Sequence, residues 1–284
     1  MKLWDFLIYI VLIIFTFWTL FPILWMIMLS FKSPLDIIAV PPKFIFSPVI
    51  DNWFVLFGGV EANPVYGGVQ MQKIFFTLLP NSLISSIISS GITVIVATLA
   101  GYSLSRFNFK GRRPITFAII GTRMLPPIAT AIPLYIFFSD IGLRDTLFGL
   151  ILAYTAINIP FAIWMMASFI MQTPVEIEEA ALIDGCRRIE ALVKVVLPIL
   201  KPGIAATFIF NYILAWNDFA LAFFLAPNRA ATMPLYILSF VTETGTAWGP
   251  MAAYGVIYII PSIIFIIFAQ NYLVKGFTLG AVKG

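Results

Sequence analysis

Gln172-Thr-Pro-Val-Glu-Ile-Glu-Glu-Ala-Ala-Leu-Ile-Asp-Gly185, continued by Cys186-Arg-Arg-Ile-Glu-Ala-Leu-Val-Lys-Val-Val-Leu-Pro198, is the longest well-charged segment of a chain that otherwise carries few charges. Thr173 has the chemistry of an N-cap, Pro174 suits the first helical position, and Glu176 stands three residues after the cap, the spacing of a capping box. The spacing predicts a short helix that stops at Asp184-Gly185, where glycine takes the left-handed conformation that ends helices. A second short helix should carry Ile189, Leu192, Val193 and Val196 on one face and end near Pro198. Two short amphipathic helices joined at a glycine, over 172–202, have the character of a docking element rather than a pocket.

Working outward, the composition places this element in a membrane protein. Of 284 residues, 61% are hydrophobic and 11% charged, with a mean hydropathy of +1.00; soluble domains carry about 25% charged residues. The net charge is +4, but the basic residues are scattered among apolar runs, a poor pattern for nucleic-acid binding. Cys186 is the one cysteine, so no internal disulfide forms. With no histidine anywhere, Ser-His hydrolysis, His-ligated metals and bis-His haem are excluded. No Gly-x-x-x-x-Gly-Lys-Ser/Thr occurs, so ATP is not bound here through a P-loop.

Apolar runs predict an all-α integral membrane fold, a single transmembrane domain over 1–284 with six spans at about 6–29, 75–104, 114–138 (interrupted by Pro126-Pro127 and Pro133), 147–171, 203–225 and 251–274. The first run is too long for a secretory signal and lacks a small-residue cleavage site, which favours a signal anchor. Ser82, Ser86, Ser89 and Thr93, with Gly91 beside them, recur at helical spacing as a close-packing face of the second span. Orientation follows from counting bases. A cytoplasmic N-terminus puts Lys2, Arg106, Lys110, Arg112, Arg113, Arg187, Arg188, Lys194, Lys201, Lys275 and Lys283 inside. It leaves Lys32, Lys43, Lys73, Arg144 and Arg229 outside and Arg123 within a span. The positive-inside rule therefore favours both termini, and the 172–202 loop, on the cytoplasmic side.

The spacing within the loop brings a family into view. Glu179-Ala180-Ala181, three residues, Gly185, nine residues, Val195, one residue, Leu197-Pro198 resembles the EAA loop of permease subunits in type I, binding-protein-dependent ABC importers, with Val195 where the family usually has isoleucine. Three weaker likenesses point to the carbohydrate-uptake, maltose-type branch. Ser33 to Pro48 followed by Asp51-Asn52-Trp53 resembles its first external loop. Trp216-Asn217-Asp218 resembles a Trp-Asn-acid element on the fifth span of sugar permeases, where glutamate is commoner. Gly276 to Gly284 resembles a tail that reaches into the ATPase dimer.

The resemblance implies a type I importer permease fold of the bacterial or archaeal inner membrane, with no catalytic residue and no cofactor in this chain. ATP and Mg would sit on two partner ATPase subunits. A homologous second permease and an extracytoplasmic solute-binding protein would complete the complex. It implies ATPase coupling through Glu178, Glu179, Ala180, Ala181, Asp184, Gly185, Leu197 and Pro198. The tail residues Gly280, Val282, Lys283 and Gly284 would contact the ATPase. The solute class implied is a sugar, oligosaccharide, polyol or glycoside; another small polar solute, or an ion-coupled secondary transporter, are the alternatives. Arg123 and Asp218 are the charges inside spans, and such residues face a bundle interior or water. A straight-helix rise puts them at different depths. With Asn158, Asn211, Trp216 and Asn217 they are candidates for a translocation path, against a purely structural role in fixing the bundle. Tyr154, Tyr254 and Tyr258 are weaker candidates for the same cavity.

Overall fold

Prolines and short polar runs decide where the apolar helices of this chain stop. The computed structural model describes residues 3–57, 71–243 and 245–281. In chain order come α1 (Leu3–Ser30), α2 (Pro34–Ile37), α3 (Asp51–Leu56) and α4 (Met71–Lys73), which leads through a wide turn at Ile74–Leu78 into α5 (Leu79–Arg106). Then follow α6 (Arg112–Thr122), α7 (Pro127–Asp140), α8 (Leu147–Gln172), α9 (Val175–Ile183) and α10 (Arg188–Ala191). A second wide turn, Leu192–Val196, joins α10 to α11 (Leu197–Ile199), followed by α12 (Lys201–Trp216) and α13 (Ala220–Leu225). A tight helical segment, Met233–Phe240, and a two-stranded hairpin of β1 (Val241–Thr242) and β2 (Gly245–Thr246) precede α14 (Trp248–Ala281). Each wide turn stands just ahead of a proline, Pro80 or Pro198, whose ring would clash with the carbonyl four residues back in a regular helix.

Among the described residues four helices are individually long and apolar enough to cross a membrane: Trp4–Ser30, Ile74–Arg106, Leu147–Gln172 and Trp248–Ile267. The bent pair Arg188–Ile199 and Lys201–Trp216, at 75°, would make a fifth. The third span, expected to be interrupted at Pro126-Pro127 and Pro133, is broken at the first of these, with Pro133 inside a helix, while the fifth, expected to be unbroken, is corrected. The third is split into α6 and α7 by Arg123–Pro126, because a residue ahead of proline is pushed out of the helical region. The fifth is split into α12 and α13 at Asn217–Phe219.

The described chain divides into two compact units. One comprises Met1–Phe76 with Tyr236–Pro261. Here Asn52 is buried and donates to the carbonyls of Ser30 (3.0 Å) and Lys32 (2.8 Å), tying α3 to the end of α1. Lys32 is itself buried, its ammonium 4.5 Å from the centroid of the Trp25 ring. Gly249 is required beside Asn52, since a Cβ there would come within 2.2 Å of its Oδ1. A cavity of about 320 Å³ lies between these segments, lined by Pro34, Ile37, Val55, Trp248 and Pro250 among others.

The other unit comprises Thr77–Leu235 with Ser262–Gly284. Its centre is α5 packed on α8 and α12. The small polar face predicted for the second span is the packing face: Ser82, Ser86, Ser89 and Thr93 are all buried. The closest approach falls elsewhere than at Gly91, around which a Cβ would meet nothing within 4 Å. It is Gly101, where a Cβ would stand 2.9 Å from the Ala167 backbone nitrogen on α8. Gly203 on α12 does the same against the Phe169 ring, 2.6 Å from Cγ. Two apolar clusters result, one around Met166, Leu192 and Val196, the other around Phe138, Tyr154 and Leu221.

Candidate functional site

The 172–202 segment folds as two short helices on a glycine hinge, as its sequence predicts. Gly185 has φ +91°, the Cys186 N–H bonds the Ala181 carbonyl (3.0 Å), and the Gly185 N–H bonds that of Leu182 (3.1 Å). These two bonds are the Schellman termination of α9. The capping box expected at Thr173 and Glu176 does not form. Thr173 is buried at the end of α8, its N–H is taken by the Ile170 carbonyl, and its hydroxyl donates back to Phe169 (3.3 Å). The box interaction appears instead on the second helix, where the Glu190 carboxylate accepts from the Arg187 N–H at 2.9 Å. That bond, and then Lys194 at 3.5 Å, hold the Glu190 carboxyl below the usual carboxylate range.

Which side chains face inward departs from the expectation in a telling way. Glu178 is buried, Arg106 at the end of α5 donates its Nε–H to it at 2.9 Å, and the Tyr102 hydroxyl donates to its other oxygen. Arg106 also donates to the Thr173 carbonyl (2.9 Å). Glu178 therefore serves as the joint between α9 and α5, and Ala181 is buried beside it. Glu179, Ala180, Asp184, Gly185 and Pro198 are exposed, and Leu197 is half-buried. Of the four apolar residues predicted on one face of the second helix, Leu192 and Val196 are buried. Ile189 is 76% exposed and Val193 is exposed as well, alongside Ile183 at 86%. The wide turn at Leu192–Val196 departs from the 3.6-residue period, so the face that an unbroken helix would give these four residues is divided.

Arg106 and Tyr102 were not singled out from sequence as site residues. An arginine ending an apolar span reads as a topology signal, and its acidic partner lies 72 positions away. No local spacing announces such a pair.

The two chain breaks meet at a second feature. Arg123, Asn158 and Asp218 line one cavity of about 100 Å³ together with Tyr154, Ile157, Leu214 and Ala215. The depth offset expected from straight helices does not hold, because Arg123 follows the end of α6 and Asp218 follows the end of α12. No ion pair joins them among the described residues. Arg123 donates to the Ile157 carbonyl (3.2 Å) and to Asn158 Oδ1 (3.4 Å), and lies 5.6 Å from the Phe161 ring centroid. Asp218 accepts the N–H groups of Leu221 (2.9 Å) and Ala222 (3.3 Å), capping α13. A larger groove of about 750 Å³ runs on from Arg123 past Ala129, Pro133 and Ala156.

The remaining path candidates are not at this cavity. Asn211 is buried and donates to the Thr207 carbonyl (2.7 Å), while Trp216 is buried and stacks on Tyr212 at 5.8 Å. Asn217 is exposed and donates to the Ile213 carbonyl (2.8 Å). Tyr254 packs on Phe240 at 5.4 Å. Gly280 falls in the last turn of α14, and Val282, Lys283 and Gly284 lie outside the described residues.

A chain of apolar helices with an exposed, glycine-hinged turn at one end of its central bundle is the build of an importer permease. Residues 94–278 match the family described as binding-protein-dependent transport system inner membrane component, and the chain belongs to that family. It is 34% identical over 267 residues to the trehalose/maltose transport system permease protein of Thermococcus litoralis, covering 93% of this chain and 92% of that protein. It is 33% identical over 267 residues to the diacetylchitobiose uptake system permease protein of Streptomyces coelicolor, with the same two coverages. A crystal structure of a bacterial ABC transporter involved in alginate import superposes with a TM-score of 0.71. It covers 95% of this chain and 96% of that one at 24% identity, a likeness of fold.

Proposed function

We propose that this chain is one of two permease subunits of an ABC importer that carries a sugar, oligosaccharide, polyol or glycoside across the inner membrane. The observation that carries the reading is the coupling turn. Ile183, Ile189 and Val193 are exposed apolar side chains beside Glu179 and Asp184, on a turn joined to α5 through buried Glu178. An apolar patch with an acidic rim marks a protein interface. The partner proposed is an ATPase subunit, two of which hold ATP and Mg, so that this chain is not itself an enzyme. The solute class is supported by relatives of more than 30% identity that serve trehalose/maltose and diacetylchitobiose. The outer partner is an extracytoplasmic binding protein, and both termini lie in the cytoplasm.

The chain's own part is mechanical. Closure of the ATPase pair displaces α9; Arg106 and Tyr102 pass the displacement to α5; α5 moves α8 and α12 with it through the close contacts at Gly101 and the serine face. Arg123, Asn158 and Asp218 then border the route that opens and closes. The tail, Gly280 to Gly284, adds a second contact with the ATPase.

The purified complex in proteoliposomes tests this. ATP hydrolysis should rise when loaded binding protein is added, and Glu179→Ala should remove the rise with the complex still assembled. Absence of any co-purifying ATPase, or a full response in Glu179→Ala, overturns the reading.

A further inference from the structure

We propose that the cleft between the end of α5 and the start of α6 binds the head group of an anionic phospholipid. The chain leaves α5 at Arg106 and turns back at Gly111, which has φ +92°; the Arg112 N–H closes the turn onto the Phe109 carbonyl (3.3 Å). Around this turn lies a cleft of about 880 Å³ lined by Asn108, Phe109, Lys110, Arg112, Arg113 and Phe117, with Gly111, Pro114 and Thr116. It holds three cations within four positions, and no acidic residue occurs between Arg106 and Asp140. Among the described residues none of the three pairs with a carboxylate; Arg112 donates only to Asn108 Oδ1 (3.1 Å).

Of the other described cations at this end, three are engaged, while Arg187 and Lys201 stand apart from one another in the sequence and pair with no carboxylate. Arg106 is bound to Glu178, Lys194 to Glu190, and Arg188 lies 5.1 Å from the Phe107 ring centroid. Only at this turn, among the described residues, do three cations without a carboxylate partner stand together within four positions.

The rim of the cleft identifies the anion. Phe117 is 75% exposed, and Phe109 and Ile115 are exposed beside it. A soluble phosphate offers nothing to these side chains, whereas a phospholipid brings a phosphate for the cations and acyl chains for the rings. Position agrees: α5 has 28 residues, about 42 Å at 1.5 Å each, so a cleft at its end falls at head-group depth if α5 spans the bilayer. Basic side chains next to spanning helices attract anionic lipid at about 1 kcal/mol each, roughly fivefold in affinity.

The inference rests on the membrane topology proposed above, and its test reads lipid rather than transport. The purified complex is exchanged into micelles containing equal phosphatidylglycerol and phosphatidylcholine, and retained lipid is counted by native mass spectrometry. Phosphatidylglycerol should be retained preferentially. Lys110→Gln, Arg112→Gln and Arg113→Gln should each lower retention about fivefold, and the triple variant should abolish the preference. Lys43→Gln, a surface cation elsewhere, should change nothing. Because the three side chains contact the core little, circular dichroism of the triple variant should match the parent, and a labelled phosphatidylglycerol titration of Arg113→Gln alone gives a second reading. Equal retention of both lipids, an unaltered preference in the triple variant, or full competition by millimolar inorganic phosphate each overturns the proposal. So does loss of the ATPase subunits from the triple variant with lipid binding intact, which would assign the cleft to a protein partner.

Discussion

Glu178 and Glu179 are neighbours with opposite duties, and the difference is burial. Glu178 is 3% exposed and meets Arg106 and Tyr102, so removing either member of the ion pair strands the other charge in the core. Arg106→Ala or Glu178→Ala should lower the stability of the complex by about 3–5 kcal/mol, read as a fall in its melting temperature. Glu179→Ala changes an exposed side chain and should stay within about 0.5 kcal/mol of the parent. A third carboxylate, Glu190, ties stability to pH. Its folded pKa lies below the unfolded value, about 4.3, so its contribution is complete above that pH and is lost as the pH falls through the lower folded value. Glu190→Gln should flatten the acid limb of a melting-temperature profile, and an unchanged limb would remove Glu190 from the account.

At the scale of elements, glycines separate contact from propensity. Gly101→Ala places a Cβ 2.9 Å from backbone on α8 and should destabilise by about 1–3 kcal/mol, whereas Gly91→Ala meets open space and should be neutral or stabilising. Equal melting temperatures for the two variants would refute α5–α8 packing at that point. The sequence discloses Gly185 and, to within one residue, the start of α9, because each is a local chain property. It discloses the serine face of α5 through its spacing. It names Gly91 instead of Gly101, because close approach depends on which partner lies opposite. It marks the interruption of the third span but runs the fifth as a single helix. Pro126-Pro127 marks the first break plainly, but Asn217–Phe219 contains neither proline nor glycine, and its one local mark is Asp218, which caps α13 through the Leu221 N–H. Arg123, Asn158 and Asp218 could be named from sequence as polar intruders in apolar runs; their meeting at one cavity could not.

For the whole molecule, the proposed line of force runs from the exposed turn through the Arg106–Glu178 joint to α5. Weakening the joint while keeping its shape should therefore change how much solute moves per ATP. Glu178→Gln, with the complex still assembled, should hydrolyse ATP in response to loaded binding protein yet transport less solute for each ATP. An unaltered ratio would leave the joint with stability alone. The breaks at Arg123–Pro126 and Asn217–Phe219 carry a separate consequence for the same molecule. Each one ends a helix and starts another, and helix ends leave N–H and C=O groups without intrahelical partners. At these breaks the N–H groups are taken up close by, those of Leu221 and Ala222 by Asp218 and those of Arg123 and Met124 by the Ile120 and Gly121 carbonyls. If the proposed route runs past them, local bonds of this kind hold its walls while neighbouring side chains drift, so that relatives with different cargoes can keep one skeleton.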